Sequence, residues 1–488
     1  MNSKRILIFI ILLGFSLRLI RLGDRGIWYD DAFSFFLAER SLSEIIKGTA
    51  ADTMPPLYYF LLHFWMGLGK GIFNLRFLSV IFSLLIVPLS YSIGRGLFGE
   101  RAGLFSALLV AISPLHIYHA QELRMYGLLC LSQLLYLRFF IRCWREQPLS
   151  NPFSWAGLII SGTAAMYSHN LAILTLLAAD LFALKDISLL KRLIVSQILI
   201  LLLASPWLLI LPGQILKVQQ AFWTPRPGIV EVIQTILVFT TNLPLPPHFL
   251  PVALFGSMAF LGLCIYESFR SGPREEEILL SSFIFSPLVA MFVLSYIMRP
   301  VYLPRGAILS SVAYLVLLAS TLARGKVRAC FLISSAFLVL SVLPYHYSFS
   351  FFPRSPFEEV AAFLGENLHK GDVIIHDNKL SYFPCHYYDR SLAQYFIADP
   401  PGSPNDTLSE ATMEAMGLFP ATLEDITRGR RRIWFVAFQR AVDEARALGG
   451  ELPNKAWLKS RFRLVDFKRF GDLNVYLYEA GRIPASSF

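Results

Sequence analysis

Runs of close to twenty apolar residues recur along this chain, and short loops rich in Arg and Lys separate most of them. Each run has the length that a helix needs to cross the ~30 Å hydrocarbon core of a bilayer. A helix satisfies its own backbone groups where no water can, so such a chain folds as a bundle of spanning helices. We place spans near 6–22, 75–97, 102–118, 126–143, 153–168, 170–184, 193–212, 248–267, 278–297, 306–323 and 329–345. The expected fold class is a polytopic α-helical membrane protein with about eleven transmembrane helices. Composition agrees. Only 16% of the 488 residues are charged and 55% are hydrophobic, where a soluble protein carries about 25% charged residues.

The net charge of +10 is not a nucleic-acid signal, because its cations fall in short loops. Lys4/Arg5, Arg95/Arg101, Arg138/Arg142/Arg145, Lys185/Lys191/Arg192, Arg270/Arg274 and Arg324/Lys326/Arg328 share one side if the spans number eleven. That side is the cytoplasm of a cell (plasma or inner) membrane by the positive-inside rule, so the N-terminus is cytoplasmic and the C-terminal region extracytoplasmic. The charged start followed by an apolar run resembles a signal peptide but has no small-x-small cleavage site, and we read it as a retained first span. Cys130, Cys143, Cys264 and Cys330 lie in or beside apolar runs, and Cys385 is alone in the polar tail. The tail therefore has no internal disulfide, and no Cys/His cluster marks a structural metal.

Basic loops flank 153–184 at both ends, so the chain crosses an even number of times between them. Each half reaches only about 24 Å at 1.5 Å per residue. The turn "YSHN", 167–170, is therefore expected inside the protein beside a cavity. Residues 23–74 read as a first outer loop carrying two interfacial helices, "SFFLAERSLSEIIKG" and "PPLYYFLLHFWMGLG". Domain 1–349 is thus the membrane domain, and 350–488 a small α/β domain. In the tail, Ser355 and Glu358 form a candidate capping box with Pro356 at the first helical position. "DVIIHD", "RIWFVAF" and "FRLVDFKRFGDLNVYLYE" read as strands, the last a hairpin.

Ionisable groups at a membrane face are expensive and mark candidate sites. Asp30 and Asp31, in "RGIWYDDAFSFFLAER", exceed what a helix dipole needs and fit a general base or a cation site. "SPLHIYHAQELRMYGLL" crowds His116, His119, Gln121, Glu122, Arg124 and Tyr126 into a short turn. Asp31, Glu122 and His119 could also hold a divalent ion. No cofactor is otherwise implied. Arg299 and Arg305, in "RPVYLPRGAIL", offer planar forks suited to phosphate, and Arg18 with Arg21 adds to that cationic zone. His169 on the buried turn is a packing residue or a ligand contact.

These segments together, "WYDDA", "MPPLYYFLLHFW", "NLRFLSVIFSLL", "GRGLFGERAGL", "ISPLHIYHAQELRMY" and the Arg before "AILSSVAYLVLLAS", resemble the membrane glycosyltransferases of the GT-C fold. The likeness is to the branch of protein O-mannosyltransferases and lipid A aminoarabinose transferases, and it covers most of 1–325. It implies an enzyme of the cell envelope that moves a sugar from a polyprenyl-phosphate donor to a lipid, glycan or protein acceptor. By the same resemblance Asp30 is the base, with Asp31 beside it. Glu122, Arg124 and Tyr126 form the second-loop motif, and Arg305 faces the donor phosphate. Met54 and Gly306 depart from the family pattern, which often has His before Pro-Pro and commonly Tyr after the Arg. Displacement at C1 needs a base on one side and cations for the leaving phosphate on the other, and a single displacement inverts the anomeric centre. The competing reading is a transporter or flippase of a polyprenyl-linked glycolipid, which would carry pseudo-symmetric halves.

Overall fold

The computed structural model describes residues 2–146, 151–220, 224–272, 274–324, 328–348, 354–403 and 405–481. Each expected span is helical: Ser3–Leu19, Ile72–Phe98, Glu100–Ile112 with Pro114–Ala120, Tyr126–Arg145, Pro152–Met166, Ile173–Ala183, Ile187–Leu208, Leu250–Ser271, Glu275–Ile297, Ile308–Leu322 and Arg328–Tyr347. Among the described residues six helices are long and apolar enough to cross a membrane, and a bent pair, Glu100–Ile112 with Pro114–Ala120, makes a seventh. The protein is mostly helical and multi-pass. Helices Leu211–Gln220 and Ile229–Thr241 were not anticipated, the second being apolar but only 13 residues long. Lys326 and the expected boundary at 349/350 lie outside the described residues.

The chain divides into two compact units, 1–22 with 41–352 and 23–40 with 353–488. Residues 23–40, read as part of the outer loop, thus belong with the C-terminal unit. The single helix expected over 34–48 is two, Tyr29–Ala38 and Leu42–Ala51. Ser41 divides them. Its hydroxyl accepts from Glu44 N–H at 3.3 Å while Glu44 accepts from Ser41 N–H at 3.0 Å, so a new helix starts there.

The C-terminal unit holds a five-stranded sheet of β1 (Val373–His376), β2 (Gln394–Phe396), β3 (Arg432–Phe438), β4 (Arg463–Phe470) and β5 (Leu473–Glu479), in the order β2-β1-β3-β5-β4. β1 runs parallel to β2 and β3, and β5 is antiparallel to β3 and β4, so the expected hairpin is β4–β5. Alternation along the strands sorts the core. Val373, Ile375, Ile433 and Phe435 pack with Leu458 and Tyr478, while Ile374, Trp434 and Val436 pack with Phe357, Val360 and Leu364. The expected capping box at Ser355 does not form. Pro356 occupies the N-cap of Phe357–Asn367, and the Ser355 hydroxyl donates instead to Asp472 Oδ2 at 2.8 Å. Helix Tyr29–Ala38 lies against helix Lys379–Tyr388 of the same unit. Tyr29 meets Phe383 edge-on at 5.4 Å, Phe35 meets Tyr387 at 4.8 Å and Phe36 stacks on His386 at 5.5 Å.

In the membrane unit the helix ends sort by charge. Glu275, Glu276 and Glu277 open one helix and pair with Lys185 (2.9 Å), Arg145 (2.8 Å) and Arg324. Three of the basic loops therefore gather at one end of the bundle. Helices Ile72–Phe98 and Glu100–Ile112 turn back on each other at Gly99, whose φ of +91° suits glycine. They approach closely, since a Cβ on Gly103 would stand 2.8 Å from Arg95 Cβ.

At the other end of Glu100–Ile112 the chain bends by 53° into Pro114–Ala120. Pro114 has no N–H, so the carbonyl of Val110 loses its helical donor. Arg18, fully buried, supplies the loss. It donates to the carbonyls of Ala111 (2.9 Å), Val110 (3.3 Å) and Gly14 (2.9 Å) and to Ser83 Oγ (2.9 Å). Gln121 Nε2 in turn donates to Arg18 O (3.0 Å) and Ile20 O (2.8 Å), and Arg76 donates to Leu22 O at 3.2 Å. The end of the first helix is thereby stitched to the bend. Arg18→Leu leaves two carbonyls without a donor and should cost roughly 2–5 kcal/mol. Thermal unfolding of the full chain in detergent reads this, with Arg18→Lys losing less, and an unchanged midpoint for the Leu variant would remove Arg18 from this role.

Candidate functional site

The bend carries the next residues into the interior. His119 closes the short helix, Glu122 and Arg124 follow in the turn, and Tyr126 opens helix Tyr126–Arg145. His119 and Glu122 are both buried and pair Nδ1 to Oε2 at 2.8 Å. The Tyr126 ring is the common neighbour. It lies 4.7 Å from His119 and 6.3 Å from His169, centre to centre, with the Arg305 guanidinium over it at 5.6 Å. Arg124 and Arg305 both act electrostatically on His169. One carboxylate, two histidines, a tyrosine and two guanidinium groups thus meet where three turns converge.

The turn bearing His169 is buried, as the shortness of the two halves of 153–184 led us to expect. Its polar groups are answered within the unit. Asn170 Nδ2 donates to Thr53 O (2.8 Å) and Gln214 Oε1 (2.9 Å), Trp207 donates to Asn170 Oδ1 (3.0 Å), and Leu57 N–H donates to Tyr167 O (3.1 Å). His169 Nδ1 accepts from Leu171 N–H at 3.1 Å. Arg305 rides on the 3₁₀ turn Pro304–Ala307. The next residue, Gly306, is buried, and a Cβ there would stand 2.8 Å from Leu171 Cδ1. The missing side chain lets the two turns close on each other, which accounts for glycine at this departure from the family pattern.

The other sequence candidates have their own surroundings. Arg18 is committed to the bend. Arg299 is exposed and lines a cavity that includes none of the Tyr126 group. Asp30 and Asp31 sit in the first turn of Tyr29–Ala38 in the C-terminal unit, Asp30 half-buried and Asp31 fully buried. The segment before them is anchored there. Ile27 N–H donates to Tyr388 OH at 3.0 Å, and Arg354 lies over the Trp28 ring at 4.0 Å. Among the described residues no three His, Cys, Asp or Glu side chains are grouped to hold a metal ion. Sequence reasoning marked Gly306 only as a departure from the family pattern and missed its close approach to Leu171, which has no local signal.

Comparison with known proteins fits this architecture. Residues 53–210 match the dolichyl-phosphate-mannose-protein mannosyltransferase family. No curated protein matches the chain by sequence. ArnT from Cupriavidus metallidurans, solved bound to undecaprenyl phosphate, superposes with a TM-score of 0.66 at 14% identity, covering 98% of both chains. The apo oligosaccharyltransferase of Archaeoglobus fulgidus superposes with a TM-score of 0.57 at 13% identity, over 99% of this chain and 75% of the other. The oligosaccharyltransferase AglB of that organism, solved with an inhibitory peptide and a dolichol-phosphate, gives 0.51 at 12% identity over 99% and 75%. The expected resemblance therefore holds in the fold: this chain shares the GT-C fold of these proteins, and its residues 53–210 match a membrane mannosyltransferase family.

Proposed function

We propose that the protein transfers a sugar from a polyprenyl-phosphate donor to an acceptor hydroxyl on the extracytoplasmic side of the membrane, with inversion. The observation that carries this reading is the grouping of Arg305 and Arg124 with His119, Glu122, Tyr126 and His169. It occurs in a fold shared with proteins solved with undecaprenyl phosphate and dolichol-phosphate. A leaving phosphate gathers charge as the C1–O bond breaks, and fixed guanidinium groups in a dry site stabilise that charge. The acceptor hydroxyl attacks C1 and gives its proton to a carboxylate, a role we assign to Asp30 with Asp31 as its neighbour. The sidedness rests on charge. Lys185, Arg145 and Arg324 gather at the end of the bundle opposite Tyr126, and basic ends face the cytoplasm. With eleven crossings, that orientation puts the C-terminal unit on the extracytoplasmic side.

Donor class is the direct test. Purified protein should release polyprenyl phosphate from a labelled polyprenyl-phosphate sugar and should not use the matching nucleotide sugar. Transfer from the nucleotide sugar in lipid-free detergent would overturn both donor class and sidedness. Lipid translocation without release would favour the flippase.

Asp30→Asn keeps shape but cannot take a proton, and turnover should fall by ~10²–10⁴ with donor binding intact. Near-normal turnover shifts the role to Asp31 or Glu122.

Arg305→Lys keeps the charge but loses the planar fork, and donor binding should weaken roughly tenfold. Tyr126→Phe keeps the ring under Arg305 and should bind near normally, while Tyr126→Leu should not. Equal binding for Arg305→Ala would exclude Arg305 from the phosphate contact.

A further inference from the structure

The turn 167–170 joins two short helices, and both its ends are held by one stretch of the first outer loop. Leu57 N–H donates to Tyr167 O at 3.1 Å, and Asn170 Nδ2 donates to Thr53 O at 2.8 Å. Asn170 is also the middle link in a run of side chains whose hydrogen bonds all point one way. Trp207 Nε1 donates to Asn170 Oδ1 (3.0 Å), and Asn170 Nδ2 donates to Gln214 Oε1 (2.9 Å). Gln214 Nε2 then donates to the carbonyls of Thr49 (2.9 Å) and Ala50 (3.3 Å) at the end of helix Leu42–Ala51. Lys217, three residues further along helix Leu211–Gln220, donates to Ala51 O at 2.8 Å. Bonds in series polarise one another, and Trp207 and Gln214 are buried, so a broken link has no water to replace it.

Packing alone would justify such a run, were it not for the residue beside Asn170. His169 Nδ1 accepts from Leu171 N–H at 3.1 Å. A ring nitrogen that accepts carries no proton, so the proton of His169 is on Nε2, a donor. The ring is thereby tied to the backbone of 169–171, and Asn170 is the centre of that stretch. The same ring stands 6.3 Å from Tyr126, and Arg124 and Arg305 both act on it. A donor displaced by ~1 Å is lost to its acceptor, so the placing of this turn decides what His169 can hold.

We propose that Asn170 is a positioning residue: its bonds to Thr53, Trp207 and Gln214 fix the turn so that His169 Nε2–H donates to the phosphate of the lipid-linked donor. The identity of that phosphate rests on the transferase reading. The full-length protein in detergent is titrated with undecaprenyl phosphate, and native mass spectrometry reads both the dissociation constant and the number of sites. His169→Ala and Asn170→Leu should each raise the constant about tenfold with the number of sites unchanged. The double variant should stay within about threefold of either single one, because Asn170 acts through His169. Effects that multiply to about a hundredfold would overturn the proposal, as would an unchanged constant in either single variant. If Asn170→Leu does not fold, Gln214→Leu takes its place, since it removes one partner of Asn170 from another helix. It should raise the constant about threefold in the wild-type background and leave it unchanged in His169→Ala, and equal effects in both backgrounds overturn the proposal. Wild-type protein that binds no undecaprenyl phosphate overturns the transferase reading and this one with it, whereas normal wild-type binding with multiplying effects overturns this one alone.

Discussion

A backbone carbonyl inside a bilayer must find a donor, and the membrane unit turns on one place where the helix cannot provide it. Pro114 interrupts the ladder, and Arg18 meets the freed carbonyls from another helix 92 and 93 residues away. Because the loss is made good, the chain can bend by 53° rather than run straight. The bend aims His119 and Glu122 inward, and Tyr126 begins the next helix within reach of both. A straight helix would have carried those polar groups toward the lipid boundary. The buried charge of Arg18 is thus an element of architecture, and the candidate site is its consequence.

The same helices that hold the site also separate charge along their length. Helix Tyr126–Arg145 spans about 30 Å at 1.5 Å per residue, with the site tyrosine at its start and Arg145 at its end, paired to Glu276. The acidic residues at 275–277 let three basic loops crowd together without repulsion. They also place carboxylates in the first turn of their helix, where the dipole favours them. Away from that end, Arg305 lies over the Tyr126 ring, and both it and Arg124 act electrostatically on His169.

Periodicity and length made the helices legible in the sequence, and so were the β4–β5 hairpin and the buried turn at 167–170, because each follows from local pattern. What stayed hidden depends on contacts between distant residues. Arg18 and Arg305 look alike as outward-facing arginines, yet one caps carbonyls and the other lies over Tyr126. Arg299 and Arg305 are six positions apart and line different spaces. β2 is only three residues long, too short for an alternation signal. Ser355 satisfies every local rule for a capping box, but Asp472 offers its hydroxyl a partner from another part of the sheet domain.

The most consequential hidden contact concerns the helix that bears Asp30 and Asp31. Its sequence is amphipathic, and a membrane surface would be a sufficient home for its aromatic face. That face instead meets Phe383, His386 and Tyr387 of the C-terminal unit, and Arg390 pairs with Glu39 at 2.8 Å at the helix end. Rings packed edge to face hold orientation more strictly than contact with fluid lipid does. Two carboxylates in the first turn are then fixed by the folding of a domain more than three hundred residues downstream. The tail is therefore more than an appendage: it supplies the rigid ground on which the acidic pair stands, while the grouping of Arg305 with Tyr126 is set by the helical unit.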